Sequence, residues 1–355
     1  MKHKNPQKKD NSITITVIIC SFLLMAFLTV YVDKNGDNKD STTEVNECIK
    51  RDSVMADSLN KDLDQMIDKA ISDKYPVNVQ DPIVGDPYSE LDNLIGLDDV
   101  KAEVRSLASY VKVQKQREAQ GMKTAKISYH CVFSGNPGTG KTTIARILAR
   151  IYKDLGIVSK GQFVETDRGG LIAEYVGQTA QKTMAVCNAA KGGVLFIDEA
   201  YAITDGKHGY GEECISTLLK FMEDNRDDFV VIVAGYKDEM KRFIAANPGL
   251  ESRFTRYIDF PDYSPNDLYK IFKLSVNKYN YVLTPDADAF LQKLFKEAVA
   301  TKSRYFGNAR YARNLFEQTI TNQSDRLGGN TKLTKQQLQQ LTIEDLQKAY
   351  KSVKK

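Results

Sequence analysis

Residues 135–142 read GNPGTGKT, the spacing GxxxxGK followed by Ser or Thr. A loop of this kind surrounds phosphates with backbone N–H groups, from Gly138 and Gly140 and from the start of the helix that follows. Lys141 places a charge against the outer phosphates, and the Thr142 hydroxyl suits a Mg²⁺ ion. Further along, VLFIDEA (194–200) is an apolar run that ends in two carboxylates, Asp198 and Glu199. Asp198 is placed to hold the metal through water. Glu199 is the better candidate to polarise an attacking water, and its bland alternative is a surface carboxylate. The two stretches together point to hydrolysis of ATP or GTP.

Both motifs need particular elements around them, and the sequence supplies them. A short apolar strand is expected at 130–134, and TTIARILARIY after Lys141 has helical apolar spacing. VLFIDE and FVVIVAG (229–235) are apolar, β-branched runs without alternation, as in strands covered on both faces. A further strand is expected near 162–166, helices at 100–115 and 181–190, and an edge strand at RYIDF (256–260). The expected fold is therefore α/β: a P-loop core, 91–262, with a mostly parallel sheet in three layers and its ligand site at the carboxyl ends of the strands. Beyond Pro265 helices follow without intervening strands, which predicts a small all-helical lid over 263–355.

Composition excludes several other chemistries. The 355 residues carry a net charge of +4, with 42% hydrophobic and 27% charged residues, ordinary values for a globular chain. No dense basic stripe interleaved with aromatics appears, so nucleic acid is not an expected partner. Cys20, Cys48, Cys131, Cys187 and Cys214 form no CxxC, and His3, His130 and His208 have no metal-ligand spacing. Neither a disulfide framework nor a zinc site is expected.

Residues 13–32, ITITVIICSFLLMAFLTVYV, are uncharged and span about 30 Å as a helix, enough to cross a bilayer. A secretory signal has a shorter apolar core and a small-residue cleavage site, so an uncleaved anchor is the preferred reading. The basic tail 1–12 favours an N-terminus inside, whereas the need for nucleotide favours a cytoplasmic ATPase domain. The nucleotide argument weighs more, because both flanks are short and their charge difference is small. The expected location is a single-pass protein of the bacterial inner membrane. A polar linker (33–44) leads to a helical stretch (45–75) in which Val45, Ile49, Ala56, Leu59, Leu63, Met66 and Ala70 follow a four-three spacing, with Asp52 in the slot between Ile49 and Ala56. That stretch is a self-associating coiled coil or a single amphipathic stalk. Pro76, Pro82 and Pro87 then predict an extended connector over 76–90.

LDNLIGLDDVK (91–101), the phosphate loop, YVGQTAQKT (175–183), GGVLFIDEAYAI (192–203), IVAGYKDEM (232–240), NPGLESRF (247–254), FPDYSP (260–265) and FGNARYARNLFE (306–317) cover Leu91 to Leu327. They resemble the AAA+ ATPases of the CbxX/CfqX family, which includes red-type Rubisco activases, sporulation stage V protein K and type VII secretion ATPases. The anchor and stalk lie outside that pattern. The resemblance implies ATP with Mg²⁺ and a hexameric ring. It implies an arginine finger at Arg253, with Arg256 as second choice, reaching a neighbour's nucleotide. It further implies a sensor arginine at Arg310, with Arg313 set aside, and adenine-side residues Ile95 and Gly96. Gly135, Asn136, Pro137, Gly138, Thr139, Gly140, Lys141, Thr142 and Thr143 complete the implied nucleotide contacts, Thr143 being a helix residue more suited to packing. Tyr175, Val176 and Gly177 match a central-pore loop that grips polypeptide, and the polar sensor at the end of the fourth strand falls on Gly235 or Tyr236. The implied function is a membrane-tethered ATPase that remodels or partly threads a protein substrate. A nucleotide-gated adaptor ring and a DNA-dependent ATPase are the alternatives.

Overall fold

VLFI and VVIVAG show no polar alternation because both faces of each strand are covered, and all of their residues are buried. They are the centre of a sheet made of β1 (Val79–Gln80), β2 (Cys131–Gly135), β3 (Phe163–Thr166), β4 (Val194–Ile197), β5 (Val230–Gly235) and β6 (Arg256–Phe260). The spatial order is β1-β3-β4-β5-β2-β6, with β1 antiparallel to β3 and every other pair parallel. The computed structural model describes residues 69–353 except 125–126, 176, 206–208 and 331, together with Lys50, Lys61, Gln65 and Met66. All of these strands lie in one unit, Ala70–Lys355.

The period of two along each strand sorts side chains into two cores. Cys131, Phe133, Phe196, Ile232 and Ala234 join the core under α1 (Pro87–Asn93), α2 (Asp98–Ala119) and α3 (Lys141–Asp154). Val132, Leu195, Ile197, Val231 and Val233 face the opposite way. They meet α4 (Arg168–Leu171), α5 (Thr179–Ala190), α6 (Tyr210–Asp224), α7 (Lys237–Ala245) and α8 (Pro248–Arg253). Three layers result, as expected.

The lid begins at Ser264, whose side chain caps α9 (Pro265–Lys278) in a reciprocal box with Asp267. It continues through α10 (Pro285–Ala300), α11 (Asn308–Leu327), α12 (Lys335–Gln339) and α13 (Ile343–Val353). The expectation of an all-helical lid needs one correction. Short strands β7 (Val282–Leu283) and β8 (Gln340–Leu341) pair in parallel and satisfy backbone groups between the helices. The lid core, with Leu268, Phe272 and Leu291, is continuous with the core beneath α2 and α3.

The connector also departs from expectation. Val79 and Gln80 add an edge strand to Val164 and Phe163. α1 starts at Pro87, capped by Asp86, and Glu90 on it pairs with the buried Arg150 of α3. The folded core therefore starts ahead of Leu91, because an edge strand and an ion pair both tie 79–93 to it. Among the described residues no helix is long and apolar enough to cross a membrane. The expected span 13–32 lies outside the described residues, with the tail 1–12, the linker 33–44 and most of the stalk 45–75.

Candidate active site

The parallel strands end side by side, so the loops after β2, β4 and β5 converge at one edge of the sheet. There the chain encloses a cleft of about 380 Å³. The loop after β2 forms its floor. Gly138 and Gly140 have φ of +70° and +97°, a region costly for any residue with a Cβ. A Cβ on Gly138 would lie 2.4 Å from the Gly307 carbonyl oxygen, so the lid closes directly on the loop. Gly140 precedes the first turn of α3, whose free N–H groups and dipole favour an anion.

Lys141 donates from Nζ to the carbonyls of Gly135 and Asn136, both at 2.9 Å, which holds its charge over the loop. Burial, with help from Arg310, holds its pKa below the ordinary lysine value against the opposing pull of Asp198 and Glu199. Thr142 and Thr143 line the cleft beside it. Asp198 and Glu199 line the facing wall where β4 ends. Glu199 has φ +48° and ψ +42°, a left-handed conformation that a non-glycine residue adopts at a cost of about 1–3 kcal/mol. The Asp198 carboxylate accepts the Glu199 N–H at 3.0 Å and supports that bend.

At the end of β5 both Gly235 and Tyr236 line the cleft. A Cβ on Gly235 would sit 2.8 Å from Met240 and Tyr201, so the strand end must be glycine there. The Tyr236 ring lies 6.0 Å from Tyr201 and 4.8 Å from Tyr305 of the lid. Burial first, then Glu199 and Tyr236, push the Tyr201 phenol up to about 12.

From the lid, Arg310 reaches the cleft, and Arg313 one turn later lines it as well. Arg313 shares the cleft with Arg310 because residues three apart on a helix share a face. Ile95 lines the apolar side together with Leu97, Tyr263, Ile271 and Leu274, of which only Ile95 was expected. Gly96 is beside the cleft, not on its wall, in a left-handed bend with φ +62°. Among the loop residues, Gly135 and Pro137 line the cleft while Asn136 and Thr139 do not. Thr139 is fully buried and donates to the Asn136 carbonyl at 2.8 Å, a bond internal to the loop.

The Asn136 side chain instead donates to Asp262 at 2.9 Å, and this bond leads to a cluster invisible in the motifs. Asp262, at the junction of core and lid, also accepts Asn308 at 2.7 Å and Lys302 at 2.5 Å. Burial alone would raise its pKa, yet these donors hold it below the usual carboxylate value. Asn308 is fully buried with φ +49°, accepts the Tyr263 N–H at 2.9 Å and starts the helix that carries Arg310. Loop, junction and α11 are therefore one hydrogen-bonded unit.

Arg253 is not on this wall. It ends α8 and lines a separate cavity of about 400 Å³, where its guanidinium pairs with Glu223 at 3.1 Å. Tyr175 is 68% exposed on the loop between α4 and α5, and Gly177 beside it has φ +77° with open space around it. Val176 lies outside the described residues.

A phosphate-binding loop, an adjacent pair of carboxylates and a lid arginine in one cleft define a P-loop nucleotide hydrolase. Residues 131–262 match the ATPase family associated with various cellular activities (AAA), and residues 264–355 match the AAA lid domain. Stage V sporulation protein K of Bacillus subtilis is 39% identical over 72% of this chain and 80% of its own length. The chloroplastic ribulose bisphosphate carboxylase/oxygenase activase of Cyanidioschyzon merolae is 41% identical over 72% of this chain and 88% of its own. Protein CbbX of Cereibacter sphaeroides is 43% identical over 67% and 77%. A solved FIGL-1 AAA domain in complex with ADP shares the fold, with a TM-score of 0.58 and 17% identity over 80% of this chain and 90% of that one. The chain belongs to the AAA ATPase family, in the group that contains these relatives, and it is an ATP hydrolase.

Proposed function

We propose that this protein is a membrane-tethered AAA ATPase that assembles as a hexameric ring and uses ATP hydrolysis to remodel or partly thread a protein substrate. The observation that carries the reading is the exposed Tyr175, an aromatic on a loop at the rim of the core, free to contact a polypeptide. A relative named for the activation of ribulose bisphosphate carboxylase/oxygenase supports action on another protein.

The loop N–H groups and Lys141 bind the phosphates, and Arg310 adds charge from the lid. Thr142 and Asp198 offer a sparse, all-oxygen donor set, which fits Mg²⁺ because that ion keeps several waters and phosphate oxygens. Bound there, Mg²⁺ would neutralise developing phosphate charge. Glu199 orients and polarises the attacking water, with Tyr236 as the polar group at the strand end. Arg253 acts on the nucleotide of a neighbouring subunit, in keeping with its absence from its own cleft. The uncharged run 13–32 anchors the ring to a bilayer, with the ATPase domain in the cytoplasm.

Glu199→Gln is expected to bind Mg-ATP normally while turnover falls at least about 100-fold, since the lost carboxylate acts in the transition state. The ATP-locked protein should hold its substrate, to be identified by crosslinking in cells. Adding Tyr175→Ala should abolish that capture. Capture that survives the loss of Tyr175 supports a nucleotide-gated adaptor instead.

A further inference from the structure

Arg253 has a stiff base and a held head. Its carbonyl accepts the Ser128 hydroxyl at 2.6 Å, the next residue, Phe254, is fully buried against His130, and its Nε is buried without a partner. Beyond that base, Nη2 donates to Glu223 at 3.1 Å and Nη1 to the Gly249 carbonyl at 3.4 Å. Each terminal nitrogen carries two hydrogens, so each keeps one for another acceptor. The side chain is 27% exposed, so part of it is open to solvent. Glu223 has a second cation: its other oxygen accepts Arg226 at 3.4 Å.

We infer that Glu223 is the positioning residue for Arg253, fixing the guanidinium plane so that its two unused N–H groups face an anion presented by a neighbouring subunit. The inference rests on the reading of Arg253 as a finger acting across a subunit boundary. An unrestrained arginine samples many rotamers, and a planar fork recognises phosphate only when both donors arrive together. Glu223 removes that freedom before the encounter. Its own charge would oppose a nearby phosphate, and Arg226 on the other oxygen offsets it. Glu223 is 56% exposed, so the pair contributes little to folding and its effect falls on orientation.

The test uses the full-length protein and measures kcat, KM, ADP binding and thermal unfolding. Glu223→Ala is expected to lower kcat about 10- to 100-fold, the scale of a misplaced catalytic group, with KM, ADP binding and unfolding midpoint unchanged. Glu223→Gln keeps the shape and one acceptor and should fall between the two, and it also serves if the alanine variant folds poorly. The double variant Glu223→Ala with Arg253→Ala should be no slower than Arg253→Ala alone, because both act through one group. Mixing Glu223→Ala subunits with Lys141→Ala subunits should restore part of the activity, as the pair works in trans. Losses that multiply in the double variant overturn the proposal. If Arg253→Ala is inactive and Glu223→Ala turns over normally, the positioning role falls and the finger survives. Normal turnover by Arg253→Ala removes both.

Discussion

Asn308 holds the lid to the phosphate loop, and replacing it tests how much that junction depends on one buried amide. Its Nδ2 donates to the Asp262 carboxylate at 2.7 Å and to the Phe306 carbonyl at 2.9 Å, and its Oδ1 accepts the Tyr263 N–H at 2.9 Å. The charged bond is worth about 1.5–3 kcal/mol and each neutral bond about 1 kcal/mol. Asn308→Ala should therefore cost about 3.5–5 kcal/mol. A further ~1 kcal/mol follows because alanine tolerates φ +49° less well than asparagine. Against a typical total of about 5–15 kcal/mol, that is enough to leave the lid–core junction marginal. Urea denaturation followed by circular dichroism and by tyrosine fluorescence reads the loss, and two probes are needed because core and lid can separate. Asn308→Gly relieves the backbone penalty while losing the same bonds, so it should be about 1 kcal/mol less destabilised than the alanine variant. ADP binding should weaken in both, because Arg310 follows Asn308 on the same helix. A loss below about 1 kcal/mol for Asn308→Ala with unchanged ADP binding would refute the claim that this residue clamps the lid.

Gly138→Ala places a methyl 2.4 Å from the Gly307 carbonyl and 2.9 Å from the Arg310 nitrogen, so the lid must shift. Calorimetry should show ADP affinity at least about tenfold weaker, with the core still folded. His130 concerns pH. Burial first, then Arg253, lowers its pKa from 6.5 to about 4, and its Nδ1 accepts the Val231 N–H at 3.0 Å in the neutral form. Between those values the unfolded chain binds the proton and the folded one does not. Its contribution is thus complete above about pH 6.5 and is lost as pH falls towards 4, by up to about 3 kcal/mol. His130→Gln should flatten the stability profile over that window, and an unaltered slope would count against the assignment. For the anchor, full-length protein should resist carbonate extraction from membranes, and a chain starting at Ala70 should be soluble. Release of the full-length protein by carbonate would rule out a spanning helix at 13–32.

Some of this protein is legible in its residues because the physics is local. A phosphate loop must be contiguous for successive N–H groups to converge on one anion, and GNPGTGKT is contiguous. A strand covered on both faces must be apolar throughout, so VLFI and VVIVAG could be assigned before any contact was known. The same holds for the amphipathic lid helices and for the carboxylates that end β4. Other features depend on pairings between distant residues, which periodicity does not encode. Asn136 and Asp262 are 126 residues apart, and their bond exists only because β2 and β6 run parallel and end together. Val79 and Gln80 lie between prolines and carry no alternation to read, yet the open edge of β3 accepts them. Arg313 joined the cleft once the direction of α11 was set. Glu223 and Arg253 meet because α6 and α8 pack on one face of the sheet, 30 residues apart in the chain. Short-range sterics and burial wrote the motifs into the sequence, whereas the packing of helices against the sheet decided which polar groups meet.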